Sequence, residues 1–256
     1  MARVIVVGSI NQDVTVTVDR FPSPGETLSG TSLTYSLGGK GANQAAAAAH
    51  SGATVVFVGA LGSDPSGQRL RCDLASHGVD VTHLREADGP SGTALITVAA
   101  SGENTIILDA GANATVSITP AKASLFPAPS DIVVLQAEIP ERANAEALAW
   151  AHSFGARVLL NLAPARPTDP ALMARTDILV VNETEAGLTL GMPAPASPME
   201  AIGVARALRG LGPKHVMVTL GADGAAWASG SEAGHCPALT LGEAVDTTGA
   251  GDACVG

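Results

Sequence analysis

The chain has 256 residues, room for one large domain or two smaller ones. A formal net charge of −10, with only 14 lysines and arginines spread thinly, argues against a nucleic-acid-binding surface. No stretch is long and apolar enough to span a bilayer, and no cationic and apolar leader follows Met1, so no membrane partner is expected. Aromatics make up 3% of a chain that is 46% hydrophobic, so the core must be built from Ala, Val, Leu and Ile. Cys72, Cys236 and Cys254 show no paired spacing, which argues against a disulfide framework or a thiolate metal site and fits a reducing cytoplasm. The 29 glycines and 16 prolines cut the chain into short elements. Among them β-branched runs alternate with Ala-rich helical ones, the pattern of an α/β fold with a mainly parallel sheet.

Residues 3–8 (Arg-Val-Ile-Val-Val-Gly) predict a buried parallel strand. Asn11 and Asp13 follow it, at the end where open α/β sheets hold ligands. The amide can donate and accept, and the carboxylate can accept two hydroxyls; an Asx turn closing the strand explains the same residues. Gly-x-Gly-x-x-Gly is absent here, which weakens a dinucleotide fold. Residues 14–19 alternate Val and Thr, as a half-exposed strand does, and residues 33–37 predict another beyond a proline-rich turn. Gly38-Gly39-Lys40-Gly41-Ala42-Asn43 then opens a helix that runs to His50. Its glycines permit close backbone approach to a ligand, Lys40 adds a cation, and Asn43 projects from the first turn. The spacing is not that of a Walker A loop, and a glycine turn with an exposed lysine is the plain alternative.

Residues 54–59 predict a strand, 66–77 a helix, and 92–99 with 105–108 a hairpin around Ser101-Gly102-Glu103-Asn104. The semi-apolar strands over about 14–37 and 92–108 lie outside the main alternation. They are expected to form a small lid sheet with one exposed face, a candidate homodimer surface. His50, His77 and His83 have no metal-ligand spacing and read as surface or turn residues. Residues 131–135 predict a core strand with Glu138 just past its carboxyl end, either facing a ligand or simply preceding the helix that opens at Pro140. Strands at 157–160 and 177–181 follow, the first leading to Asn161-Leu162-Ala163-Pro164-Ala165. The second leads to Asn182-Glu183-Thr184-Glu185, the spacing of a capping box. The strand at 214–219 enters Leu220-Gly221-Ala222-Asp223-Gly224, and short strands at 225–228 and 234–237 lead to the last motif.

That motif is Asp246-Thr247-Thr248-Gly249-Ala250-Gly251-Asp252. Thr248 is placed to cap a helix beginning at Gly249, whose small first-turn residues Gly249, Ala250 and Gly251 would offer free N–H groups to an anion. Asp252 stands beside them. An anion hole next to a carboxylate suits phosphoryl transfer to an alcohol, with the carboxylate as general base. A capped glycine turn with a solvent-facing Asp is the alternative.

The stretch resembles the signature of the PfkB carbohydrate kinases, the ribokinase-like superfamily. Gly-Gly-Lys-Gly-Ala-Asn-Gln-Ala at residues 38–45 is similar to its ribokinase branch, as are Asn11-Gln12-Asp13, Gln136-Ala137-Glu138-Ile139-Pro140 and the Pro-x-Pro-Gly-Glu-Thr turn. One departure is Leu162, where that branch carries Pro. The resemblance implies a three-layer sandwich with a β-sheet lid and ATP-dependent phosphorylation of D-ribose at its 5-hydroxyl. It implies Asp252 as catalytic base and an anion hole at Gly249, Ala250 and Gly251. Asn11, Asp13, Gly39, Lys40, Gly41, Asn43, Glu138 and Asp252 would line the sugar pocket. Asn182, Glu185, Thr219, Gly221, Gly224 and Gly251 would serve Mg-ATP, and Asp246 and Thr248 a K+ site. The family continues beyond its catalytic helix, so the expectation is one domain over residues 1–256 that lacks a C-terminal portion. Two alternatives stand beside this one: a PfkB kinase for another furanose, such as deoxyribose or a nucleoside, and an inactive sugar-binding form.

Overall fold

A computed structural model of the chain describes residues 2–239, 242 and 249–256. The first half contains β1 (Arg3–Val7), β2 (Asn11–Val18), β3 (Ser32–Gly38), α1 (Lys40–His50), β4 (Thr54–Gly62), α2 (Pro65–Ser76), β5 (Asp80–Ala87), β6 (Gly92–Ala99) and β7 (Asn104–Asp109). The second contains β8 (Ile132–Gln136), α3 (Glu141–Ser153), β9 (Arg157–Asn161), α4 (Pro170–Arg175), β10 (Ile178–Asn182), α5 (Glu183–Leu190), α6 (Pro198–Arg209), β11 (His215–Thr219), β12 (Ala225–Ser229), β13 (Glu232–Cys236) and α7 (Ala250–Val255).

The buried runs assemble into a nine-stranded sheet of order β13-β12-β11-β10-β9-β8-β1-β4-β5. Its strands all run the same way except β12, which is antiparallel to both of its neighbours β11 and β13. Successive residues of β1 point to opposite faces, so both faces must be covered. Ile5 and Val7 join Val133, Leu135, Leu148 and Leu208 on one side, under α3 to α6. Val6 joins Ala42, Ala45, Phe57, Leu70 and Leu74 on the other, under α1 and α2. This is the expected three-layer sandwich. β1 lies between β4 and β8, so the connections leave in opposite directions at β1 and β8. A crevice opens at the carboxyl ends of two strands where the order reverses in this way, the usual ligand site of such sheets.

The second sheet, β3-β2-β6-β7, is the expected lid. It begins earlier than the sequence suggests: Asn11 and Asp13 are residues of β2 rather than of a turn after β1. β5 has no counterpart in the sequence reading. Its charged run and single buried Leu84 hide an edge strand, and His83 sits within it rather than in a turn.

At the other end of the sheet Asp131 ties β1 to β8. It accepts from the Arg3 backbone N–H (2.9 Å), Arg3 Nε (3.1 Å), Arg3 Nη2 (2.7 Å) and the Ala128 N–H (2.9 Å). Despite burial, these donors hold its carboxyl below the usual range. Asp131→Ala leaves Arg3 only the Phe126 carbonyl, and the Ala128 N–H loses its acceptor; the change is expected to cost about 3 kcal/mol, read by urea unfolding at pH 7. Because the folded carboxyl has the lower affinity for protons, this contribution is present above about pH 4 and fades as acid protonates it.

Candidate active site

Two cavities meet at the crevice. The larger, of about 420 Å³, lies under the lid and is bordered by Asn11, Asp13, Gly39, Lys40, Asn43, Glu138, Gly249 and Asp252. The inner lid residues Ala94, Ile96, Ile106 and Leu108 form its apolar roof. The smaller, of about 190 Å³, is bordered by Lys40, Asn161, Asn182, Glu185, Thr219, Gly249, Gly251 and Asp252. Lys40, Gly249 and Asp252 belong to both. A molecule under the lid and one in the smaller cleft would therefore face each other across Asp252.

The glycine-rich opening of α1 explains how this crevice is built. Gly39 has φ +88°, and a Cβ there would lie 2.8 Å from the Asn11 backbone nitrogen, so only glycine lets α1 start against β2. Gly41 was expected in the sugar pocket but borders neither cavity. Its role is close packing: a Cβ would lie 2.7 Å from the Ser9 backbone, and its N–H donates to Ser9 Oγ at 3.2 Å. Ser9 in turn donates to Glu138 Oε2 at 2.6 Å, and the Lys40 N–H reaches the same oxygen at 3.0 Å. Glu138 is thus aimed by the end of β1 and the start of α1.

Asn11 is 4% exposed, and its carbonyl oxygen accepts from Asn113 Nδ2 at 2.7 Å. Asn113 also spans the Ile10 backbone, accepting from its N–H (3.0 Å) and donating to its carbonyl (3.1 Å). This fixes which end of the Asn11 amide enters the cavity. The sequence reading gave Asn113 no role. Asn113→Ala leaves the Ile10 backbone unpaired in a buried place and frees Asn11 to turn. The expected result is a rise of about tenfold in KM for a substrate held in this cavity, measured by steady-state kinetics.

Asp252 is 7% exposed and is held by neutral donors: Asn43 Nδ2 to Oδ2 and Gln44 Nε2 to Oδ1, both 3.0 Å. Its neighbours form an acidic group with few cations. Asp13 is pushed up to about 6, first by burial and then by the charges of Glu138 and Asp252. Burial also raises Glu185; the Asn182 N–H and Lys40 pull it back, and Asp252 adds to the rise. Asn182 and Glu185 form the capping box of α5, with Glu185 N–H to Asn182 Oδ1 at 2.8 Å and Asn182 N–H to Glu185 Oε2 at 2.9 Å. They also border the smaller cleft, so capping α5 does not take them away from it.

Four expectations need correction or fall elsewhere. Helix α7 begins at Ala250, with Gly249 as its N-cap at φ +73°, one residue later than expected; the cap expected of Thr248 lies outside the described residues. Ala250 is exposed and borders neither cavity. Gly221 and Gly224 also border neither; Gly224 packs on β13, where a Cβ would lie 2.1 Å from the Cys236 carbonyl oxygen. Asp246 and Thr248, expected at a K+ site, lie outside the described residues.

A lidded α/β sandwich with a carboxylate shared by two facing cavities fits small-molecule phosphoryl transfer, and the chain matches the pfkB family of carbohydrate kinases over residues 1–256. It belongs to that family. Within it the chain is similar to ribokinases: it is 38% identical to that of Haemophilus influenzae over 251 residues, 96% of this chain and 81% of that protein. The structure of Arabidopsis thaliana ribokinase complexed with ribose and ATP superposes with a TM-score of 0.87 at 33% identity, covering 99% of this chain and 83% of that one. A deoxyribokinase of Salmonella typhi is 34% identical over 258 residues, 99% of this chain and 83% of that protein.

Proposed function

We propose that this protein transfers the γ-phosphoryl group of ATP to the 5-hydroxyl of D-ribose. The observation that carries the reading is the sharing of Asp252, with Lys40 and Gly249, between the lidded cavity and the cleft bordered by Asn182, Glu185 and Thr219. Ribose occupies the first, with its hydroxyls on Asn11, Asp13, Lys40, Asn43 and Glu138. ATP enters the second, with its γ-phosphoryl toward Gly249 and Gly251. Asp252 takes the proton from the 5-hydroxyl as that oxygen attacks phosphorus, and the bond to the ADP oxygen breaks. Lys40 lies where charge builds on the moving group. Residues 1–256 act as a single kinase domain.

The acidic surroundings fit a cation brought with the nucleotide. Among the described residues no three His, Cys, Asp or Glu side chains converge as a metal cage. Glu185 and Asn182 would therefore hold Mg2+ jointly with phosphates and water, and the ion would offset charge on the phosphates. Activation by K+ at Asp246 and Thr248 rests on the family resemblance alone.

The outer face of the lid supports a homodimer. Tyr35, Val14, Leu95 and Ile107 stand opposite one another in one row across all four strands. Tyr35, Leu95 and Ile107 are each more than half exposed. A second copy would cover this apolar row. Among the described residues no helix is long and apolar enough to cross a membrane, and the three cysteines are exposed and free. The free, exposed cysteines fit the reducing cytoplasm expected from the sequence.

The test is a substrate panel. Phosphoryl transfer to ribose, 2-deoxyribose, fructose and adenosine is followed under equal conditions. The highest kcat/KM is expected with ribose. A higher value with 2-deoxyribose or adenosine would assign the protein to another branch of the family.

A further inference from the structure

We propose that Gln44 is a positioning residue that sets the rotation of the Asp252 carboxylate; this rests on the reading of Asp252 as the base. Gln44 borders neither cavity and is 1% exposed, so any influence on the reaction runs through its neighbours. One amide hydrogen goes to Asp252 Oδ1 and the other to Asn161 Oδ1, both at 3.0 Å. Its carbonyl oxygen accepts from Gln136 Nε2 at 2.9 Å. Asn161 is itself fixed, donating to the Val180 carbonyl at 3.1 Å.

These partners allow one amide orientation only. A reversed Gln44 would set its oxygen against the oxygens of Asp252 and Asn161, and its NH2 against that of Gln136. The direction is therefore passed from Asn161 on β9 through α1 to α7. Gln44 pins Oδ1 on the inner side, while Asn43, which borders the lidded cavity, takes Oδ2. Two donors on two oxygens leave the carboxylate plane no free rotation. Oδ2 is then the oxygen presented beside the sugar, with a lone pair left for the hydroxyl proton. Neither donor is charged, so Asp252 is oriented by neutral hydrogen bonds rather than by an ion pair.

The sequence contrast is instructive. Asn43 and Gln44 are adjacent, and a helix sends adjacent side chains about 100° apart. One can face the ligand while the other faces the core, and both still reach the same carboxylate.

The test uses Gln44→Met, which keeps length and apolar bulk but removes both donors. Gln44→Glu keeps the shape but sets an oxygen against Asp252. Both are expected to lower kcat roughly ten- to a hundredfold, with the ribose Kd from calorimetry held within about threefold. Asp252→Asn is then combined with Gln44→Met. If Gln44 acts through Asp252, the double variant is no slower than Asp252→Asn alone. Should Gln44→Met fail to fold by its melting curve, Gln44→Asn takes its place in the cycle; it keeps an amide but falls short of both partners. A wild-type kcat in either Gln44 variant, or effects that multiply in the double variant, overturns the proposal. Near wild-type turnover in Asp252→Asn by itself overturns the base assignment, which is a separate result.

Discussion

Asp252→Asn is expected to lower kcat by about 10²–10⁴-fold while ribose still binds. The carboxylate stands at the junction of the two cavities, mostly buried, with one oxygen on the Asn43 side. The amide keeps the shape and cannot take a proton from a hydroxyl. In the proposed reading Asn11, Asp13, Lys40, Asn43 and Glu138, which border the same cavity, also hold ribose, so its Kd should move only a few-fold. The new NH2 must face either Asn43 or Gln44, both donors, so a small loss in melting temperature accompanies the change. Stopped-flow or coupled assay of ADP release, with calorimetry for ribose, separates the two effects. Turnover near the wild-type value would remove Asp252 from the chemistry.

Asp13→Asn is expected to weaken ribose binding and strengthen the fold at the same time. In the free protein burial, helped by Glu138 and Asp252, lifts the Asp13 carboxyl to about 6. The folded value lies above the unfolded one, so folding takes up a proton between about pH 4 and 6. The ionised side chain therefore costs stability above about pH 6, and the cost is relieved as the pH falls through 6 toward 4. Solvent screens this half-exposed group, which leaves a penalty on the order of 1 kcal/mol. Its removal should raise the melting temperature at pH 7.5 by about 2–4 °C. Yet the carboxylate can accept two hydroxyls with charge-assisted bonds, and an amide oxygen replaces them poorly. KM for ribose should rise at least about tenfold. In the parent protein KM should also rise as the pH drops below about 6, and that acid limb should be missing in Asp13→Asn. An unchanged melting temperature, or a KM independent of pH in the parent, would remove the charge argument.

The sequence made some of this site legible and hid the rest for a physical reason. β1 and the opening of α1 are short-range patterns: a β-branched run, two glycines, a lysine, an amide. Their ligand-facing residues could be named without knowing what lay opposite. Glu138 fell just past a strand's carboxyl end, where topology alone favours a ligand, whereas Asp13, read at the end of β1, lies inside β2. The residues that hold these side chains were invisible because their partners are far away in the chain. Asn113 serves Asn11, and Gln136 and Asn161 serve Gln44, across separations of 92 to 117 residues. A buried amide looks like any other polar residue of a helix or loop until its partner is placed beside it. Gly41 and Gly224 show the converse. Glycine announced a close approach at Gly41 and the family resemblance placed a ligand at Gly224, and only the structure showed that at both the approaching group is the protein's own backbone. β5 was missed because an edge strand needs only one buried face, and its charged residues masked the alternation.

The measurement that bears most directly on the proposed activity is identification of the product. The protein is incubated with D-ribose, ATP, Mg2+ and K+, and the mixture is followed by phosphorus NMR. The expected result is one new phosphomonoester on the C5 oxygen of ribose, formed one-for-one with ADP and only when ribose is present. Binding of both ribose and ATP with no phosphomonoester, or ADP formed at the same rate without ribose, would contradict it.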